Sequence, residues 1–137
     1  MDLTLDRPGD HLFIRSVSAE GILVADRLYP GPLVLSATTL ISDWPAGRLE
    51  DLGEPALEPV FSLEPEVVLI GTGPVQKFPR PELLMCFYRR QVGVEFMSTE
   101  AACRTFNVLV SENRNVVAAL LPPGTGPAAP AESVEKR

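Results

Sequence analysis

Four consecutive aliphatic residues, Val67, Val68, Leu69 and Ile70, run straight into Gly71-Thr72-Gly73. Successive side chains of a strand point to opposite faces, so a run with no polar member has no face to offer to water. It predicts a central strand covered on both sides. Pro81 then suits a first helical turn, and Leu83, Leu84, Phe87 and Tyr88 recur at helical spacing up to Gln91, with Gly93 read as the residue that ends the helix. Residues 94–97 read as the next strand. Ser98 or Thr99 can cap a second helix with an apolar stripe of Ala102, Cys103, Phe106, Leu109 and Val110, and Asn113 suits its exit. A last apolar strand spans residues 116–121. Strand, helix, strand, helix, strand predicts an α/β fold in which a mixed or parallel central sheet is flanked by helices and these three segments lie side by side as inner strands.

The first third of the chain has a different texture. Leu12, Phe13, Ile14 and Val17, then residues 22–25, then residues 33–35 are strand-like, separated by Ala19-Glu20-Gly21 and Tyr29-Pro30-Gly31-Pro32. This predicts an N-terminal antiparallel β meander. Residues 36–66 carry Gly47, Gly53, Pro45, Pro55, Pro59 and Pro65, which favour short turns over any long helix. Trp44 reads there as a partly buried anchor, with an exposed contact role as the alternative. Residues 122–137 hold four prolines and two glycines and read as a disordered tail. Residues 1–121 make one domain, since 137 residues leave no room for a second core.

Charge excludes several function classes. With 18 acidic against 12 basic residues the net charge is -6, a field that repels phosphate backbones, so no nucleic-acid partner is expected. Arg80, Arg89, Arg90 and Arg104 would have to cluster to override it, and Arg89-Arg90 reads instead as a solvated helix end. The apolar runs are far below membrane-spanning length, and the N-terminus lacks the basic start and apolar stretch of a secretion signal, so a cytoplasmic protein with no membrane partner is expected. Cys86 and Cys103 fall in helical segments and read as free, buried thiols. His11 is the only histidine and reads as a surface residue. Two cysteines with sixteen residues between them and a distant histidine lack zinc spacing, so neither a metal nor a cofactor is implied. No nucleophile, base and orienter assemble into a catalytic set.

The candidate binding cleft lies between residues 71–78 and the start of the second helix. Gly71, Thr72 and Gly73 follow a buried strand, where open α/β sheets present ligand-binding loops. Pro74 and Pro79 remove amides from any phosphate cradle, which favours a structural turn. Gln76, Lys77 and Phe78 combine an amide, a cation and an aromatic ring, suited to a partner or an anion or to a solvated connection. Glu95 lies on the face opposite Val94 and Phe96 or at a strand end, and a buried carboxylate there would pair with Arg104 or Arg114, with a raised-pKa acid or base as the functional alternative. Thr99, Cys103 and Asn107 share one helix face with Arg104 at its flank. Cys103 reads chiefly as packing, and as a lowered-pKa thiol only if the helix end opens on the cleft.

The words IGTG, GVEFM and TEAACRTFN in this order of elements resemble a family of small α/β domains often called Mth-type domains. Its eukaryotic members include the mitochondrial NADH dehydrogenase (complex I) assembly factor three and an adipogenesis-associated protein. The resemblance spans roughly residues 10–121 and implies a three-layer fold and an assembly or interaction role with another protein, not a reaction. Phe106 departs from it, since tyrosine is common there in relatives. An uncharacterised, non-catalytic interaction domain is therefore the expected function, with a small-molecule or anion binder at the cleft as the alternative. Pairing of two copies through a strand edge of the meander is left open.

Overall fold

The computed structural model describes residues 2–4 and 11–124. From residue 125 onward the predicted tail lies outside the described residues. The elements are β1 (Asp2–Thr4), β2 (Ile14–Ser18), β3 (Gly21–Val24), β4 (Arg27–Tyr29), β5 (Leu33–Leu35), β6 (Thr39–Ile41), α1 (Glu54–Phe61), β7 (Val67–Gly71), α2 (Pro81–Arg90), β8 (Gly93–Met97), α3 (Thr99–Ser111) and β9 (Val116–Leu120). Six strands form the main sheet in the order β1-β6-β5-β9-β7-β8, and β2, β3 and β4 form a second, antiparallel sheet. Strands β9, β7 and β8 run parallel, while β1, β6, β5 and β9 pair antiparallel, so the main sheet is mixed.

Alternation along the central strands divides the core. Leu69, Val116, Ala118 and Leu120 pack with Phe106, Cys103 and Ala102 of α3 and with Ile14, Ile22 and Val24 of the small sheet. Val68, Ile70, Val117 and Ala119 pack with Leu57 and Val60 of α1 and Leu83 and Phe87 of α2. The three-layer α/β fold is thus the one expected, with α3 and the small sheet on one face and α1 and α2 on the other.

Four local readings change. The third strand of the meander is Arg27–Tyr29, formed by a two-residue turn after Val24. Leu33, Val34 and Leu35 join the main sheet beside β9 instead, because all three are fully buried and need cover on both faces. Residues 54–61 form a helix despite two prolines. Pro55 occupies its first turn, where the amide has no helical acceptor, so only Pro59 costs a bond. Gln91, not Gly93, ends α2. It adopts φ 58°, and Val92 N–H reaches back to Phe87 O at 3.1 Å. Strand β8 is also not an inner strand but the last of its sheet. Asn113 does leave α3 in the left-handed region, at φ 63°.

Trp44 is the buried anchor, its Nε1–H donating to Ala56 O at 2.7 Å, which removes the exposed contact role. Phe106 is fully enclosed, so Phe106→Ala is expected to cost about 3–5 kcal/mol in urea denaturation. Val108→Ala on the open side of the same helix should stay within about 0.5 kcal/mol. Equal losses for the two would place the core elsewhere.

Candidate functional site

Connection handedness fixes where a cleft belongs in this sheet. Strand β7 passes through α2 to β8 on one side, and β8 passes through α3 back across β7 to β9. With right-handed crossovers, that reversal sends α2 and α3 to opposite faces, and the loops leaving β7 and β8 part above the strand ends. The sequence-derived cleft lies at this switch point.

Two threonines fill it. Thr99 is fully buried at the first turn of α3. Its hydroxyl donates to Leu121 O at 2.7 Å and accepts Gly73 N–H at 2.9 Å, and its amide donates to Gly73 O at 2.9 Å. Thr72 is buried too, its Oγ1 lying 2.6 Å from Val75 O and 3.1 Å from Met97 O while accepting Lys77 N–H at 3.2 Å. A Cβ on Gly71 would sit 2.9 Å from Thr99 Oγ1, so glycine is required by the neighbour, not by a ligand. Ser98 is the residue that caps α3, accepting Ala101 N–H at 3.2 Å. The amides of Gly73, Thr99 and Ala101, which could have faced an anion, are spent inside the protein.

The loop after Gly73 is pinned along its length. Gln76 Nε2 donates to Phe96 O at 2.9 Å, Lys77 Nζ stands 3.7 Å from Glu50, and Arg80 Nη2 donates to Leu52 O at 2.6 Å. Held this way, the loop projects Phe78 into solvent at 82% exposure, with Val75 also exposed.

The remaining candidate residues have other tasks. Asn107 clamps β2, accepting Ile14 N–H at 3.0 Å and donating to Ile14 O at 2.8 Å beside the bulge in β2. Cys103 is enclosed, and burial pushes its thiol up to about 12, with the Arg104 charge opposing and Glu100 adding. Glu95 is exposed, so the buried carboxylate pair does not form. Arg104 instead lies 3.5 Å from Glu100, and Arg114 lies 3.2 Å from Glu66.

Gly71, Thr72, Gly73 and Thr99 therefore meet, whereas Phe78 and Glu95 stand apart. Cys103, Arg104 and Asn107 line a separate depression of about 210 Å³ against β2, and a second of about 220 Å³ lies beside Gly73 and Glu100. Both fall below the roughly 300–1,000 Å³ of small-molecule sites. A groove of about 350 Å³ between α1 and α2 reaches that size, but its guanidiniums are engaged, Arg80 by Leu52 O and Arg89 by Glu54 at 3.4 Å. Sequence reasoning missed Tyr88, which is 72% exposed. Helical geometry held the signal, since at 100° per residue Tyr88 lies about 140° from Leu83.

Because the Cys103 thiol titrates well above its ordinary 9.0 when folded, the unfolded chain loses its proton first, and stability should fall as pH rises from 9.0 toward 12. A Cys103→Ala variant should lack that part of the slope, read in urea melts across the range. Asn107→Ala leaves both backbone groups of Ile14 without their side-chain partner and should cost about 1–3 kcal/mol. Faster amide exchange confined to β2 would accompany it.

Similarity to known proteins agrees with this architecture. The chain is 35% identical over 114 residues, 82% of its length, to mouse NADH dehydrogenase (ubiquinone) 1 alpha subcomplex assembly factor 3, of which it spans 61%. It is 36% identical over 89 residues, 64% of its length, to the 13 kDa major membrane protein of Francisella tularensis, of which it spans 72%. Among the described residues no helix is long and apolar enough to cross a membrane. The solution structure of a Mth938-like domain from Bordetella pertussis superimposes with a TM-score of 0.74 at 28% identity, covering 93% of this chain and 96% of that one. The Mth-type resemblance is thereby borne out: residues 14–121 match the family described as Protein of unknown function (DUF498/DUF598), and the chain belongs to it.

Proposed function

We propose that this domain is a non-catalytic assembly module that docks on another protein through the rim carrying the 74–80 loop. The carrying observation is Phe78, 82% exposed on a backbone fixed by Gln76, Lys77 and Arg80. Exposing an aromatic ring on a mobile loop would waste affinity on ordering it; a pinned loop has met that cost before the partner arrives. The assembly role named for the mouse relative supports the same reading, although this chain spans only 61% of that protein. The switch-point cleft gives the small-molecule alternative no support, since Thr72 and Thr99 occupy it.

Crosslinking of tagged full-length protein in cells, followed by isolation, tests the proposal. A reproducible protein partner is expected, with recovery reduced about tenfold or more by Phe78→Ser, the scale of a lost aromatic anchor. The variant's melting temperature should be unchanged, because that ring faces solvent. Absence of a partner, or its full recovery with the variant, would remove the reading.

A further inference from the structure

We infer that β8 is a docking edge for an extended segment of a different protein, one that alternates apolar residues with a lysine or arginine between them. The inference rests on the protein-binding reading above and gives it a second, separate surface.

Strand β8 ends the main sheet with no described strand outside it. Hydrogen bonds at its two ends fix its phase: Gly93 N–H donates to Glu66 O at 3.3 Å and Met97 O accepts Thr72 N–H at 2.8 Å. Odd-numbered residues thus bond to β7, while Val94 and Phe96 turn their amides and carbonyls outward. Among the described residues one of these outward groups is met, Phe96 O, by Gln76. Edge strands are commonly guarded by charged side chains, proline, a bulge or a covering loop, and β8 has of these the Glu95 charge and the Gln76 contact. Here the sequence is Gly-Val-Glu-Phe-Met in unbroken register with β7.

The shoulders of this edge select the occupant. Val94 and Phe96 pack on the α2 side, and the flank of α2 turned away from α1 carries half-buried Leu84 and exposed Tyr88. On the other side Thr105 Oγ1 touches Met97 Sδ at 3.6 Å, and Val108, one turn on, is 53% exposed. Side chains of an added strand would alternate between these shoulders. Those beside Tyr88 meet apolar surface. The one opposite Glu95 meets a carboxylate that has no ion pair among the described residues, and a basic side chain there can lay its stem along Val108. A second copy of this chain is the wrong occupant. The twofold antiparallel register that uses Val94 and Phe96 of both strands sets Glu95 against Glu95, a like-charge pair.

The test uses full-length protein and a displayed library of random twelve-residue peptides. Enriched peptides should alternate apolar residues around a lysine or arginine. A synthetic copy should bind about tenfold or more weakly to Val94→Pro, which removes an outward amide, and to Glu95→Lys, which reverses the edge charge. Changing the peptide's basic residue to glutamate should restore binding to Glu95→Lys. Val94→Pro also removes a half-buried side chain from the α2 side, whereas Glu95→Lys changes an exposed one, so misfolding of the first, seen by circular dichroism, leaves the second and its charge-swapped peptide to decide. No enrichment, enriched peptides indifferent to both changes, or a dimer of the protein that Val94→Pro dissolves would each overturn the inference. A cellular partner that survives both edge variants but is lost with Phe78→Ser would remove this edge while leaving the assembly reading in place.

Discussion

A single side-chain hydroxyl ties the carboxyl ends of β7 and β9 to the start of α3. Thr99 Oγ1 joins Leu121 O to Gly73 N–H inside the protein, and both of its neighbours are backbone groups that would otherwise be buried without partners. Gly71 is small because Thr99 is there. Thr72 performs the matching task one strand over, fixing the loop to Met97 O. Parallel sheets open at this end because their loops diverge, and here the divergence is closed from within. What a related architecture would devote to a ligand is devoted to holding three strands and one helix in register.

The other face of α3 repeats this use of polar groups for internal fastening. Asn107 holds Ile14 by both backbone groups, so the small sheet is bonded to the helix as well as packed on it. At the opposite end of the strands, Glu66 accepts Asn115 N–H at 3.0 Å and lies 3.2 Å from Arg114. Those partners hold its carboxyl below the usual range, with the Asn115 amide contributing most. The bonds join the entry of β7 to the entry of β9. Cys103 packs with Ala102 and Phe106, and burial pushes its thiol up.

The legibility of each element followed its burial. The run 67–70 and the stripe Ala102, Cys103, Phe106, Leu109 and Val110 announced themselves because all but the half-buried Val67 and Leu109 are enclosed and no polar residue blurs the period. Residues 54–61 did not, because prolines are read as breakers unless their position in the first turn is known beforehand. Leu33 to Leu35 read as part of the meander but lie in the main sheet, since three apolar residues state that they are buried but not between which neighbours. Topology puts the candidate cleft at the switch point, whereas only the side-chain bonds of Thr72 and Thr99 say what occupies it. Threonine in sequence looks the same whether it faces a ligand or bonds to its own backbone. Glu95 is exposed on the last strand of its sheet, a place that the apolar neighbours Val94 and Phe96 do not announce.

Gln76 connects the two exposed features of this rim. It belongs to the loop that carries Phe78, and its amide caps Phe96 O, one of the outward groups of the β8 edge. A carbonyl oxygen has two lone pairs, so an added strand releases this one of the three contacts that hold the loop where its amide takes the lone pair that Gln76 uses. Phe78 would then gain freedom as the edge is filled, and binding at the two places would be coupled through a single hydrogen bond worth about 1 kcal/mol. A strand short enough to use only Val94 leaves the loop fixed. The length of an incoming segment therefore determines whether the edge and the phenylalanine act independently or oppose one another.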